Sequence, residues 1–430
     1  MLSKPAEYSW MTKDELMKYT FAALSILAAV SFISWGAESI ILTLISIMVA
    51  VGADYLVSKI IRKTPNAMSA SVLGLVIALS YSLGIPTILY RELLPLTAPM
   101  AYIYAALISL VGMVLFKKLQ GLSGRKYVNP AAVAKLLVFL PYLYEVFLPV
   151  EHSQMLPSLT NPIGFSGSFS FGSFLQACFA KTALTASNAQ EVLYTMTIVK
   201  YHGWIGGASS VAVIAVGVAL FILCGRYLKW RITAAYLGTV ALFALALSTV
   251  YGGDPLLRIV FHLFIGSSIF LAFFMATDPA TSPLTYLGQV IFGGGLGVLT
   301  VLIQTYTGFL GGSILALVIM NLTSPLLDRV GRLRPLSKRI TPKLPKSKQF
   351  ANVKVTECIR CGACMRACCM HLSPISIKQA FDRSNLKAAR KLQANLCEGC
   401  GNCSFVCPAR IDLKGTILRT KAALRNPAFK

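Results

Sequence analysis

Residues 262–301 read HLFIGSSIFLAFFMATDPATSPLTYLGQVIFGGGLGVLTV. Two almost uncharged runs flank a short polar turn, residues 275–283, which contains Asp278 and no Lys or Arg. A helix needs roughly 20 mostly apolar residues to cross the hydrocarbon core of a membrane. The stretch therefore predicts two membrane spans joined by a tight turn.

The same pattern recurs along most of the chain, which has 430 residues and is 56% hydrophobic but only 13% charged. Soluble domains are about 45–50% apolar and about 25% charged. This composition excludes a purely soluble enzyme and a disordered protein, and it predicts an all-α polytopic membrane bundle. We place ten spans, at about residues 20–35, 39–57, 68–84, 97–116, 131–150, 205–224, 232–250, 257–276, 287–306 and 309–327.

The distribution of basic residues predicts the orientation of the bundle. Lys and Arg concentrate in alternate loops, and basic loops remain on the cytoplasmic side. With an even number of spans, both termini are then cytoplasmic. We expect a multi-pass protein of the cell inner membrane.

The net charge is +24, and 22 of the 40 Lys and Arg residues follow residue 327. Residues 329–355 are basic and contain Pro335, Pro342 and Pro345, which is typical of an extended linker near anionic lipid headgroups. We predict a membrane domain at 1–328, this linker, and a cysteine-rich domain at 356–430. The basic tail favours membrane lipids or an acidic partner protein, and no nucleic-acid-binding module is recognisable.

Nine of the 11 cysteines lie between residues 358 and 407, in two C-x2-C-x2-C-x3-C runs. This is the bacterial ferredoxin spacing given twice, in which the fourth cysteine of each run ligates the other cluster. The spacing predicts a C-terminal ferredoxin-like α domain that holds two [4Fe–4S] clusters. The ligand sets are Cys358, Cys361, Cys364 and Cys407 for one cluster, and Cys397, Cys400, Cys403 and Cys368 for the other.

Structural zinc is the alternative, but zinc sites usually use two spaced pairs of ligands. Cys369 follows Cys368 directly, where Pro is usual in this motif. The spacing selects Cys368 as the ligand and makes Cys369 a buried thiol, although an exchange of ligands remains open. Two neighbouring clusters indicate an electron conductor, and the basic surroundings suit an acidic carrier such as a ferredoxin.

Four ionisable residues lie in or near predicted spans: Asp54, Lys135, Glu145 and His262. Such groups are costly in a membrane and are often functional. They are candidates for an ion path, or they lie near headgroups. Asp278 either caps its own turn or belongs to a binding site.

Residues 262–301 resemble the signature region of the RnfD/NqrB family of membrane flavoproteins. Asn129-Pro130-Ala131 and the segments 230–232 and 235–239 also resemble that family, and the similarity spans most of residues 20–330. Residues 350–425 resemble the ferredoxin part of RnfC, a protein of the same complexes. The chain is therefore similar to a fusion of a D-type membrane module and a C-type iron–sulfur module.

The resemblance implies electron transfer coupled to Na⁺ or H⁺ pumping, with other subunits of a membrane redox complex. It also implies a covalent FMN on an outer-loop threonine. Here the acceptor position falls on Asn188, which cannot form the ester, so covalent FMN is not expected unless a shifted register uses Thr185 or Ser187.

The family's second flavin is non-covalent, FMN or riboflavin, and lies nearer the cytoplasmic side. The positions that resemble its neighbourhood are Asn129, Thr277 and Asp278.

We therefore predict an electron-transferring membrane subunit without a complete active site of its own. The chain has no Rossmann fingerprint, and its glycine cluster at 293–297 lies inside a span, where small residues let helices approach. Another subunit must then bind any nicotinamide. The alternatives are an uncoupled redox anchor that serves a quinone or an outer-face enzyme, and a transporter with a redox-sensing tail.

Overall fold

The computed structural model describes residues 11–62, 64–81, 98–122, 126–147, 194, 197–198, 207–252, 254–332, 335 and 355–425. The chain divides into two compact units. Residues 18–327 form the membrane unit. The described residues from Asp328 onward, together with residues 11–17, form the second, which we call the cysteine unit.

The first half of the membrane unit is helical throughout its described residues, apart from short connections. α2 packs against both α3 and α4, and α4 continues into a π-helical stretch at Gly112–Leu119. The helices are α1 (Lys13–Trp35), α2 (Ala37–Ile60), α3 (Ala67–Leu79), α4 (Ala98–Leu119), α5 (Pro130–Val138) and α6 (Leu140–Phe147).

The second half centres on α11, which packs against α8 on one side and α12 on the other. α10 is π-helical over Leu271–Met275. The helices are α7 (Ser210–Cys224), α8 (Trp230–Tyr251), α9 (Pro255–Phe264), α10 (Ser268–Met275), α11 (Tyr286–Thr307) and α12 (Gly312–Leu327).

The described helices agree with a polytopic membrane bundle. Five of them, α1, α2, α4, α8 and α11, are long and apolar enough to cross a membrane, and α9 with α10 would make a sixth, bent by 64°. α3, α7 and α12 are shorter apolar helices. The number of ten spans stays a prediction.

Two predicted spans differ in detail from the structure. The run 257–276 is broken between α9 and α10, where Gly266 adopts φ +63° and its hydrogen faces Leu310. A Cβ there would lie 2.7 Å from the Leu310 carbonyl oxygen, so only glycine permits this bend. The run 131–150 is divided at Phe139 into α5 and α6.

The glycine cluster of α11 brings helices together, as predicted. A Cβ on Gly293 would lie 2.5 Å from the Ile232 carbonyl oxygen, and one on Gly297 would lie 3.1 Å from that of Tyr236. α11 and α8 therefore meet backbone to backbone, which small residues allow in membranes.

Large apolar side chains remain exposed on the outer faces of the helices. Ile33 is 83% exposed and Ile222 is 79% exposed, whereas Gln289, Gln304 and Asn321 are buried. Water would penalise that arrangement, but lipid tails solvate such side chains, and buried polar groups then find partners inside the protein.

The cysteine unit consists of short helices around two similar loops. The N-terminal segment belongs to it, because Met11 and Leu16 are buried and the Lys13 N–H donates to the Pro408 carbonyl at 3.0 Å. The helices are α13 (Ala363–Arg366), α14 (Pro374–Asp382), α15 (Leu386–Lys391), a 3₁₀ turn (Ala394–Leu396), α16 (Asn402–Phe405) and α17 (Leu413–Arg425).

Candidate functional site

Two cavities of about 350 and 370 Å³ lie in the cysteine unit, and cysteines line both. Each cavity collects the first three cysteines of one run and the fourth cysteine of the other run. These sets are the same two that the spacing groups together. The first cavity is lined by Cys358, Cys361, Cys364 and Cys407, and the second by Cys368, Cys397, Cys400, Cys403 and additionally Cys369.

The two loops share one backbone design. Arg360 (φ +55°) and Gly399 (φ +67°) occupy the same place in their runs, and each donates its N–H to the preceding ligand-position sulfur, at 3.3 Å to Cys358 and 3.4 Å to Cys397. The glycine after the second cysteine is left-handed in both runs, with φ +76° and +84°. Such N–H groups stabilise negative charge on sulfur.

Burial makes free thiolates costly in these cavities. It raises the pKa of the Cys361 thiol to about 12, and the charges of neighbouring cysteines act in the same direction. Burial is also the main cause of the raised pKa values of Cys364 and Cys403. A bound cationic centre reverses this balance, because a coordinating thiol is deprotonated outright.

The donor set suits a cluster better than a single ion. A structural zinc ion draws four ligands to about 2.0–2.3 Å from one point. In the part of the chain that the structure describes, no three His, Cys, Asp or Glu side chains converge in that way. The cysteines instead surround cavities, and an all-thiol ring around such a volume fits a [4Fe–4S] cluster.

In the membrane unit, Lys229 holds the turn that follows α10. Its side chain is buried, and Nζ donates to the Pro279 carbonyl at 2.9 Å and to the Ser282 carbonyl and hydroxyl at 2.9 and 3.0 Å. Sequence reasoning missed this role, because Lys229 was counted only as a loop charge. Its place one residue before α8 was the available signal.

Asp278 caps the turn, which is the simpler of the two predicted roles. Its carboxylate accepts from the Ala280 N–H at 3.2 Å and from the Thr281 hydroxyl at 3.3 Å. Thr277 donates to the Phe273 carbonyl at 2.6 Å, at the end of α10. Both side chains therefore fix the local shape of the backbone.

Asn129 is buried at the start of α5. Its carbonyl accepts from the N–H groups of Ala131 and Ala132 at 3.0 and 3.2 Å, and its amide donates to the Met275 carbonyl at 3.1 Å. The structure therefore brings Asn129 to the start of the Asp278 turn. Thr185, Ser187 and Asn188 lie outside the described residues.

Asp54 forms a buried ion pair with Lys118, with 2.6 Å between Oδ1 and Nζ. Its other oxygen accepts from the Asn66 N–H at 2.7 Å, and Lys118 also donates to the Ser58 hydroxyl at 2.6 Å. This network ties together α2, the start of α3 and the end of α4.

The other candidates for an ion path lie in separate networks. Lys135 is fully buried, and its Nζ donates to the carbonyl and hydroxyl of Ser80. His262 is 2.8 Å from the Gln304 Oε1 through Nδ1 and 3.5 Å from the Thr305 hydroxyl through Nε2. Glu145 lies in α6, and its side chain is outside the described part of the structure.

Comparison with known proteins explains the membrane unit. Residues 2–336 match the NQR2, RnfD, RnfE family. The chain belongs to this family. The match covers most of the chain and includes Lys229, Asn129 and the Asp278 turn, and it ends before the first cysteine run.

Several relatives in this family are D-type subunits of named complexes. That of the Na⁺-translocating ferredoxin:NAD⁺ oxidoreductase complex of Acetobacterium woodii is 26% identical over 324 residues, covering 74% of this chain and 88% of the relative. That of the proton-translocating ferredoxin:NAD⁺ oxidoreductase complex of Clostridium ljungdahlii is 27% identical over 324 residues, covering 74% and 89%. That of the ion-translocating oxidoreductase complex of Aeromonas salmonicida is 30% identical over 333 residues, covering 71% and 89%.

Proposed function

We propose that this NQR2, RnfD, RnfE family protein is an electron-transferring membrane subunit of an ion-translocating oxidoreductase complex. It passes electrons between cytoplasmic [4Fe–4S] clusters and a membrane flavin or a partner subunit. One observation carries the proposal: a single chain joins the membrane domain of this family to two cavities that are each ringed by four cysteines at ferredoxin spacing.

The cysteine unit supports two clusters at short range. Cys364 of the first cavity lies close enough to Cys403 of the second for charge on one to affect the other, and α13 packs against α16. Bound clusters would supply one-electron transfer. The protein holds the eight thiols, supplies N–H groups to sulfur, and covers both cavities with apolar residues such as Ile375 and Ile417.

The surface of the cysteine unit supports an acidic electron carrier, such as a ferredoxin, as the partner. Lys414 lines the second cavity, and Lys421 donates to the Cys397 carbonyl at 2.7 Å. Positive charge stabilises reduced clusters, raises their potentials and steers an acidic protein toward the site. Further exposed cations lie on α15 and α17 or next to them: Arg383, Lys387, Arg390, Lys391, Arg419 and Arg425.

For the membrane unit we propose a non-covalent flavin, FMN or riboflavin, beside the Asp278 turn. The side chains of Asn129, Thr277 and Asp278 are engaged with the protein's own backbone, so they shape this neighbourhood rather than reach into it. Asn188 at the acceptor position argues against covalent FMN. The same substitution favours the second candidate function, an uncoupled redox anchor that delivers electrons to a quinone or an outer-face enzyme.

Cofactor analysis of the full-length protein tests the cluster and flavin assignments together. After anaerobic purification we expect about eight iron atoms per chain, and flavin in the supernatant after acid precipitation. Cys364→Ala should reduce the iron content, with Cys224→Ala in the membrane unit as a control that keeps it. A wild-type protein without iron would contradict the proposal. Flavin that stays with the pellet would contradict the Asn188 argument.

Ion coupling requires the assembled complex in proteoliposomes. We propose Asp54, Lys135, Glu145 and His262 as positions of the ion path. Reduction of the complex should drive Na⁺ or proton uptake, and Lys135→Met should lower the ions moved per electron. Electron transfer without any ion movement would instead support the uncoupled anchor.

A further inference from the structure

The two cavities differ at one position. Pro408 follows Cys407 and lines the first cavity, whereas Cys369 follows Cys368 and lines the second. The two residues occupy equivalent places in their runs. The second cavity therefore contains five thiols, one more than a [4Fe–4S] cluster uses.

The fifth thiol lies beside one particular ligand. The Cys369 Sγ is 3.8 Å from the Cys400 Sγ. A change between staggered rotamers moves a cysteine sulfur by roughly 3 Å, so either sulfur can take the place of the other without movement of the backbone. Cys400 is partly exposed, whereas its counterpart in the first run, Cys361, is buried.

We propose that Cys369 is a reserve ligand of the second cluster, which takes the iron held by Cys400 when that thiolate is lost. This inference rests on the proposed function, because it presumes that the second cavity holds a cluster. In the exchange, the Cys400 S–Fe bond breaks and Cys400 takes up a proton. The Cys369 thiol releases a proton to water, and its thiolate forms the new S–Fe bond. No iron changes its oxidation state.

The unequal exposure of the two cavities gives the reserve ligand a purpose. A partly exposed thiolate reacts with oxidants and alkylating agents more readily than a buried one. The spare thiol therefore lies next to the ligand that is most open to loss. In the first cavity the corresponding ligand, Cys361, is buried, and the equivalent neighbour is a proline.

The first run provides a matched control for the test. Full-length Cys400→Ala, Cys361→Ala, Cys369→Ala and the double variant Cys369→Ala/Cys400→Ala are purified anaerobically. Iron and sulfide per chain, electron paramagnetic resonance spectra and alkylation of Cys369 by iodoacetamide are then measured. We expect about eight iron atoms in Cys400→Ala and Cys369→Ala. Cys361→Ala and the double variant should lose at least one iron atom.

Alkylation gives the direct readout of the exchange. Cys369 should be labelled in the wild-type protein and at least tenfold less in Cys400→Ala. Equal iron loss in Cys400→Ala and Cys361→Ala, with eight iron atoms in the wild type, would overturn the reserve ligand and leave the proposed function intact. A wild type without iron would instead remove the proposed function. If Cys400→Ala does not fold, Cys400→Ser preserves the side-chain size and is judged by the same labelling.

Discussion

The membrane unit and the cysteine unit treat their buried polar groups in opposite ways. In the membrane unit, Lys229 and Asn129 find partners in the backbone of the same unit. In the cysteine unit, buried thiols such as Cys361 and Cys403 border open cavities. The first unit satisfies its own polar groups, whereas the second is arranged around something that it binds.

The environment of each unit accounts for this difference. Hydrocarbon offers no hydrogen-bond partners, so a polar group at membrane depth must be paired within the protein. The cysteine unit is small, and a chain of fewer than about 80 residues rarely builds a sufficient hydrophobic core without disulfides, metals or similar cross-links. Its stability should therefore depend on its ligands, whereas that of the membrane unit should not.

Removal of iron should break the comparison most strongly. Chelation with mild oxidation should destabilise the cysteine unit by about 5 kcal/mol or more, because binding energy is folding energy in small metal domains. Hydrogen exchange should then speed up across residues 355–425 and stay unchanged across α8 and α11. Unchanged protection in the cysteine unit would show that it folds without its ligands.

The buried ion pair of the cysteine unit should give the next largest effect. Arg360 Nη2 lies 2.6 Å from Asp328 Oδ2, and both side chains are 5% exposed. Asp328→Ala leaves the guanidinium buried without its partner, and we expect a loss of about 3–5 kcal/mol in unfolding free energy. Chemical denaturation, monitored by cluster absorbance, measures this loss.

The control for that variant is the exposed pair between Lys378 and Asp382, one helical turn apart and 2.5 Å between Nζ and Oδ2. Asp382→Ala should cost less than about 0.5 kcal/mol, because water screens exposed ion pairs. Equal effects of the two substitutions would mean that the Arg360 pair is solvated in solution.

Lys229→Met tests whether the membrane unit depends on its own polar contacts. The substitution removes three hydrogen bonds from a buried ammonium to Pro279 and Ser282, and we expect a loss of about 2–4 kcal/mol. Thermal unfolding in detergent gives the loss. Lys59→Met, at an exposed lysine of α2, should leave the transition unchanged.

A pair of helix caps gives the smallest difference. Asn129→Ala removes two bonds to the start of α5 and one to Met275, and should cost about 2 kcal/mol. Asn385→Ala removes the single 2.8 Å cap bond of α15, at an exposed site, and should cost about 0.5–1 kcal/mol. The same denaturation assays rank the two caps, and a reversed order would contradict the role of Asn129 in joining two elements.

Hydropathy predicted the helical membrane class, because lipid imposes a length and an apolarity that any window detects. The cysteine spacing predicted the grouping around the cavities, since that motif fixes local backbone geometry. Hydropathy did not predict the bend at Gly266, because one glycine does not change the average of a run. Nor did it predict the inward course of Lys229 or the partner of Asp54, since both depend on contacts between segments distant in the chain.

The bond from the Lys13 N–H to the Pro408 carbonyl has a consequence for biosynthesis. The segment at residues 11–17 leaves the ribosome almost first, and its partner in the same unit leaves almost last. All the hydrophobic helices are synthesised in the interval between them. The opening segment must therefore wait through insertion of the whole bundle, and completion of the cysteine unit is the final folding event of the chain.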